Sequence, residues 1–316
     1  MKIILPTQIR ALLEPQLPHE VDVVWVAPDS SFDRDPEGAV AYFRWWGEQN
    51  VYQHVLTHVP SLRWVHTPSA GVEHLLIPLV YERDLTLTNS AGVHAIPIAE
   101  FVMAVLLSRA KALHEYNTAQ VEHQWAKDID LQELYGATML ILGIGGIGTA
   151  IAERAAAFGM RVWGSRRRSS AAPTPYAERI VTGDAWRALL PEADYVVVAA
   201  PLTPETRHMV DAAALAAMKP SAYLINIARG GLVDETALLA ALQAGQISGA
   251  ALDTFEQEPL PATSPFWELP NVVVTPHATA NSPRMHERQV ALFLENLRRA
   301  LRNEPLVNVV DKTLGY

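Results

Sequence analysis

The sequence predicts an α/β protein: a doubly wound parallel sheet in the second part of the chain, preceded by a smaller α/β unit. Three observations predict it. From Thr138 to Thr275 short apolar runs alternate with helical patterns. A glycine cluster joins the first of these runs to the first of these helices. The first hundred residues alternate in the same way over shorter stretches. A length of 316 residues suits about two domains.

Five runs in the first part read as strands: Lys2–Leu5, Val21–Val26, Ala39–Phe43, Leu62–His66 and Leu85–Thr88. Thr7–Leu13 and Trp45–His58 read as helices between them. A long helix is expected over Ile96–Tyr116, where Pro97 suits a first turn and Ile98, Phe101, Val102, Val105 and Leu106 recur at helical spacing. In the second part, strands are expected at Thr138–Leu142, Met160–Gly164, Tyr195–Ala199, Ala222–Ile227, Ser248–Leu252 and Val272–Thr275. Ile147–Phe158 and Glu235–Ala244 are helical crossovers. Ser282-Pro283 signals a last helix running to about Ala300, with serine as cap and proline at its first position. Ser169–Pro175 reads as a surface loop.

Composition narrows the function. Hydrophobic residues at 49% and charged residues at 19% exclude general disorder. A net charge of −9 argues against a broad nucleic-acid-binding face, and no nucleic-acid partner is expected. The absence of cysteine excludes disulfides, thiolate catalysis and cysteine-ligated metals. Met1–Pro6 is too short an apolar run for a signal peptide and is broken by proline. Leu134–Ala152 is uncharged over 19 residues, close to a membrane span, yet carries glycines at 136, 143, 145, 146 and 148. A strand, a tight turn and a helix start explain it better. A cytoplasmic protein without membrane contact is expected.

Gly143, Gly145 and Gly148 stand at the G-x-G-x-x-G positions, after a strand and before a helix. That context makes the motif a dinucleotide cradle. Gly143 permits the turn, Gly145 lets the backbone approach a pyrophosphate, and Gly148 lets the helix pack on the strand. The helix N-terminus adds N–H groups and partial positive charge. NAD-binding units carry an acid about 20 residues further on. This chain has no Asp or Glu between Glu153 and Glu178, and Ser165-Arg166-Arg167-Arg168 ends the second strand instead. Forked guanidiniums suit a 2′-phosphate, so NADP(H) is expected in preference to NAD(H), with NAD(H) bound at lower affinity.

Arg229, Asp253 and His277 each follow a strand, at spacings of 24 and 24 residues. Parallel strands bring such ends to one edge, outside which ligands bind. Glu258 lies in the loop after Asp253. These residue types suit hydride transfer to a 2-oxo acid. Arg229 can grip a carboxylate and polarise a carbonyl, while His277 can deliver the proton. A carboxylate beside the imidazole orients it and favours its charged form. Glu258 is the candidate, in competition with Glu256; His286, inside the last helix, is a weaker rival of His277. Asp253 can equally be an ordinary turn residue. His66, His74 and His94 show no metal-ligand spacing. Trp45 and Trp46 fall in no motif and read as core or interface residues.

These motifs resemble the D-isomer-specific 2-hydroxyacid dehydrogenase family. The resemblance rests on Leu140–Gly148, Pro201-Leu-Thr-Pro-Glu-Thr206-Arg-His, Asn226-Ile-Ala-Arg229-Gly-Gly-Leu-Val-Asp-Glu235, Ala250–Pro259 and Thr275-Pro-His277-Ala. It implies a Rossmann cofactor domain at 98–284 and a smaller flavodoxin-like substrate domain at 1–97, completed by a returning C-terminal helix at 285–316. It implies a catalytic trio of Arg229, Glu258 and His277. The substrate would meet Ser69, Ala70, Gly71 and Val72 through backbone N–H groups, together with Arg229 and His277. The cofactor would meet Gly143, Gly145, Gly146, Ile147 and Gly148, then Ser165, Arg166 and Arg167. Pro201, Thr206, Ile227, Ala228 and Asp253 complete that set. One departure is Gly146, where many members carry a larger side chain, so no side-chain contact to the cofactor is expected there. The resemblance is nearest to NADPH-dependent glyoxylate/hydroxypyruvate reductases and implies a homodimer acting on small 2-oxo or 2-hydroxy acids. The alternative is a nucleotide-sensing, corepressor-like binding protein on the same fold.

Overall fold

A computed structural model describes residues 1–46, 49–167 and 174–313. Arg168 and most of the loop expected from Ser169 lie outside the described residues. The chain forms two compact units, one of residues 1–94 and 282–316, the other of residues 95–281. The changeovers fall at 95 and 282, rather than at the 98 and 285 read from the sequence.

The first unit holds five parallel strands: β1 (Lys2–Pro6), β2 (Asp22–Val26), β3 (Ala41–Phe43), β4 (Trp64–His66) and β5 (Thr86–Thr88), in the order β2-β1-β3-β4-β5. All five expected strands are present: β1 runs one residue longer than expected and the other four start later. The helices needed more correction. Thr7–Ile9 is a 3₁₀ turn that leads into helix Arg10–Leu13. Of the helix expected over Trp45–His58, Trp45 and Trp46 are not helical and Gln49–His58 is. Trp45 is instead buried, edge-on to the Phe43 ring and facing His286, which is a core position rather than a helical one. Trp46 is exposed, and both tryptophans border a cavity of about 130 Å³.

The second unit is a seven-stranded parallel sheet. Its strands are β6 (Thr138–Leu142), β7 (Arg161–Arg166), β8 (Arg179–Thr182), β9 (Tyr195–Val198), β10 (Tyr223–Asn226), β11 (Gly249–Leu252) and β12 (Val272–Val274). The order is β12-β11-β10-β9-β6-β7-β8. The six expected strands are all there, and β8 is an addition. Arg-Ile-Val-Thr is short and none of its residues is buried, so this edge strand shows no apolar run. The central strand β6 is buried throughout, as a parallel strand covered on both faces must be. Strand order reverses between β6 and β9, which opens the crevice that dinucleotides occupy in such sheets.

The two long helices expected at the ends of the second part also differ from expectation. The segment Ile96–Tyr116 is two helices, Ala95–Ala110 and Leu113–Val121, broken at Ala112, whose φ of +48° cannot continue a helix. The last helix starts at Met285, after Arg284, not at Pro283. The Ser282 hydroxyl accepts the Arg284 N–H at 3.2 Å, so it closes a local turn instead of capping the helix. Gly159, at φ +72°, follows the end of helix Gly146–Ala157. No described helix is long and apolar enough to cross a membrane.

His66 sits on β4 with no exposed surface; its Nδ1 is 2.8 Å from the Thr88 hydroxyl. Burial pushes its imidazole down to about 3, and burial also lowers His94. The unfolded chain takes up these protons near pH 6.5 and the folded unit does not. Stability is therefore full above about pH 6.5 and falls as the pH drops toward 3. His66→Gln should flatten that fall, with His94 supplying the remainder. Urea midpoints between about pH 7 and 4.5 check this; equal slopes for both proteins would contradict it.

Candidate active site

The glycine turn expected to cradle a pyrophosphate is built at the end of β6. Gly143 has φ +103°, and a Cβ there would stand 2.5 Å from the Ala200 nitrogen. A Cβ on Gly148 would stand 2.4 Å from the Gly143 carbonyl oxygen. Only glycine lets strand, turn and helix pack this closely. At Gly145 and Gly146 a Cβ would meet open space, so these two glycines leave room beside helix Gly146–Ala157. Gly145 is its N-cap, and Ile147 lies in its first turn. The residues present thus fit a pyrophosphate held against a helix N-terminus.

Ser165 and Arg166 end β7, the strand beside β6. The buried Ser165 accepts the N–H groups of Gly143 and Ile144 on its carbonyl, at 3.1 and 2.8 Å, and so ties the two strand ends together. Arg166 is half-buried and donates to the Thr174 hydroxyl at 3.4 Å. Arg167 is exposed, and its charge acts on Glu205 in the loop after β9. In that loop Thr206 accepts the Thr203 N–H at 2.7 Å and donates to the Pro201 carbonyl at 2.8 Å. These bonds shape the Pro201–Thr206 turn. Among the described residues no carboxylate stands at the β7 end where an NAD-type acid would be.

Further along the rim, the buried Asn226 clips the loop after β10. Its amide accepts from Ala228 N–H at 3.1 Å and donates to the Arg229 carbonyl at 3.0 Å. Ile227 is buried and Ala228 half-buried. Arg229 donates from Nη1 to the Ala228 carbonyl at 2.8 Å. The loop lies flush on the next one: a Cβ on Gly230 would stand 1.9 Å from the Phe255 carbonyl carbon.

Asp253, 1% exposed at the end of β11, uses both carboxylate oxygens on the loop after β12. Oδ1 accepts from the Thr275 hydroxyl at 2.6 Å and Ala278 N–H at 2.9 Å. Oδ2 accepts from the Thr279 hydroxyl at 2.6 Å and Thr279 N–H at 3.2 Å. The His277 N–H donates to the Asp253 carbonyl at 2.8 Å. His277 is held at φ +53°, a costly conformation for a side-chain-bearing residue. Its ring Nδ1 lies 2.8 Å from Glu258 Oε2, and Glu258 Oε1 accepts the Phe255 N–H at 3.0 Å. Between the two carboxylates that compete for His277, Glu258 is the one that meets it; Glu256 pairs with His208 at 2.6 Å.

Arg229, Glu258 and His277 thus follow adjacent strands of one parallel sheet, on the edge that also carries the glycine turn. In the first unit, the loop Ser69–Val72 follows β4. Ser69 is buried, with its hydroxyl 2.9 Å from that of Thr67, and Asn89 donates to the Ala70 carbonyl at 2.7 Å. Val72 is buried, and its carbonyl accepts the Leu75 N–H, which closes the turn that carries Gly71. His94 approaches the Pro68 carbonyl at 3.3 Å, on the same loop. No described group of His, Asp or Glu residues is arranged to hold a metal. Asn226 and Thr275 stand inside motifs quoted above without a role of their own, Thr279 lies one position past the last of these motifs, and Asn89, just after β5, lies in none of them.

Residues 103–279 match the family model for the NAD binding domain of D-isomer specific 2-hydroxyacid dehydrogenases. The chain belongs to that family. As a member it is an oxidoreductase acting on a CH–OH group. It is 37% identical over 269 residues to glyoxylate/hydroxypyruvate reductase B of Citrobacter koseri, spanning 83% of this chain and 82% of the relative. The fold matches a D-isomer specific 2-hydroxyacid dehydrogenase of Xanthobacter autotrophicus solved with NADPH and MES: TM-score 0.86, 30% identity, 100% of this chain and 99% of that one. It also matches an NADPH-dependent glyoxylate/hydroxypyruvate reductase of Sinorhizobium meliloti solved with NADP and sulfate: TM-score 0.84, 28% identity, again 100% and 99%.

Proposed function

We propose that this dehydrogenase reduces a small 2-oxo acid of the glyoxylate or hydroxypyruvate class to its D-2-hydroxy acid, with NADPH as donor. The observation that carries the reading is the 2.8 Å contact between His277 and Glu258, on the same sheet edge as Arg229. The names of the relatives and the dinucleotides in the solved neighbours support the substrate class and the cofactor.

When bound, the dinucleotide supplies the hydride. Gly143, Gly145, Gly146, Ile147 and Gly148 hold its pyrophosphate, and Pro201, Thr206, Ile227 and Ala228 line its path. Ser165, Arg166 and Arg167 receive the 2′-phosphate. Ser69, Ala70, Gly71 and Val72 take the substrate carboxylate on backbone N–H groups, and Arg229 grips the carboxylate and the carbonyl. Charge grows on the carbonyl oxygen as the C–H bond forms, and the Arg229 cation stabilises it. His277 gives its proton to that oxygen from Nε2. Glu258, at Nδ1, fixes the ring orientation and stabilises the imidazolium. In the reverse direction neutral His277 takes the hydroxyl proton. Asp253 serves this arrangement through the His277 loop, since its four acceptor contacts all go to residues 275–279. The apolar residues Leu113, Tyr116, Val121, Trp125, Leu131 and Tyr135 are exposed on and after one helix of the second unit, and they support a homodimer.

His277→Ala should lower turnover by about 100-fold or more, the scale of general acid–base catalysis. Steady-state reduction of glyoxylate and hydroxypyruvate checks it, and unchanged turnover would remove His277 from the mechanism. Arg166→Ala with Arg167→Ala should raise the KM for NADPH by roughly 10- to 100-fold, as loss of charge-assisted bonds does. The KM for NADH should barely move. Equal losses for both cofactors would contradict the 2′-phosphate assignment.

A further inference from the structure

The second unit contains another histidine–glutamate pair, outside the proposed trio. His208 Nε2 lies 2.6 Å from Glu256 Oε1, with both side chains 40% exposed. His208 stands at the end of the loop after β9, at φ +52°. Its backbone N–H donates to the Gly231 carbonyl at 2.8 Å, in the loop that carries Arg229. One residue thus joins three strand-end loops: its own, that of Arg229, and that of Glu258.

The turn that His208 grips is under electrostatic load. Glu256 N–H donates to Glu235 Oε1 at 2.6 Å. Burial raises the Glu235 carboxyl above its ordinary range and the negative charges of Glu256 and Glu258 raise it further, while the Glu256 N–H and, to a smaller extent, His208 act in the opposite sense. Three carboxylates, Glu235, Glu256 and Glu258, therefore share one small region. Like charges this close push apart. His277 engages Glu258 and His208 engages Glu256, so each imidazole faces one of the crowded acids. The turn is short: the Phe255 N–H closes onto Glu258 itself. Displacing Glu256 thus moves the backbone that sets the Glu258 carboxylate.

We infer that His208 is a positioning residue for the reaction: by holding Glu256 it keeps the Phe255–Glu258 turn closed and Glu258 against His277. This rests on the proposed roles of Glu258 and His277. His208 touches neither of them in the structure, and it acts through the turn.

The test is a set of single and double variants read by kcat and KM separately. His208→Ala should lower kcat about fivefold, the scale of an exposed side-chain pair, with KM for NADPH and for glyoxylate within about twofold. Glu256→Ala, which breaks the same bond from the other end, should do the same. His208→Gln keeps an N–H donor and should recover most of the loss. In a Glu258→Ala background, His208→Ala should cost less than about twofold more, because the effect runs through Glu258. A kcat unchanged in both His208→Ala and Glu256→Ala would overturn the inference, as would an equal loss with and without Glu258. If Glu258→Ala and His277→Ala alone leave turnover intact, the catalytic reading itself fails. Loss in those two variants but none in His208→Ala or Glu256→Ala sinks only the role of His208.

Discussion

The site depends on one buried carboxylate. Asp253 ends β11 and spends both oxygens on the loop after β12. Two hydroxyls and two backbone N–H groups converge on it. Those bonds hold the chain in a conformation that His277 would not choose for itself. The left-handed backbone of His277 costs of order 1 kcal/mol or more, and the Asp253 contacts offset it. From that backbone the imidazole meets Glu258 at 2.8 Å.

The rest of the second unit is arranged around the same edge. Parallel strands deliver their loops to one rim, and close glycine contacts let those loops stack without spacers. Gly143 and Gly148 join the cradle to its helix, and Gly230 seats the Arg229 loop on the Glu258 turn. Buried polar residues then fasten each loop: Ser165 through its backbone carbonyl, Asn226 through its side-chain amide, Asp253 through its carboxylate. The rim is thus polar where it must be rigid.

Much of this was legible in the sequence because it depends on local spacing. The glycine positions, the two 24-residue intervals and the missing acid after Glu153 are all properties of the linear text. What escaped depends on direction in space. Spacing cannot say whether Glu256 or Glu258 faces His277, because both lie in the same short loop; His208, 48 residues from Glu256, decides it. Spacing also puts Asp253 at the rim without saying that its side chain turns inward to the threonines. Strand β8 escaped because an edge strand with no buried residue carries no apolar run, and the break at Ala112 because alanine normally favours a helix. Ser282-Pro283 has the composition of a cap, yet its hydroxyl closes a turn one step earlier.

Asp253→Asn tests most directly whether this carboxylate holds the proposed acid in place. The amide keeps the size but loses acceptor capacity toward Thr275, Ala278 and Thr279. Turnover should fall by roughly 100-fold, the scale of a misplaced catalytic group, while the Kd for NADPH stays within about threefold. Turnover equal to that of the unaltered protein, or a loss found wholly in NADPH binding, would contradict it.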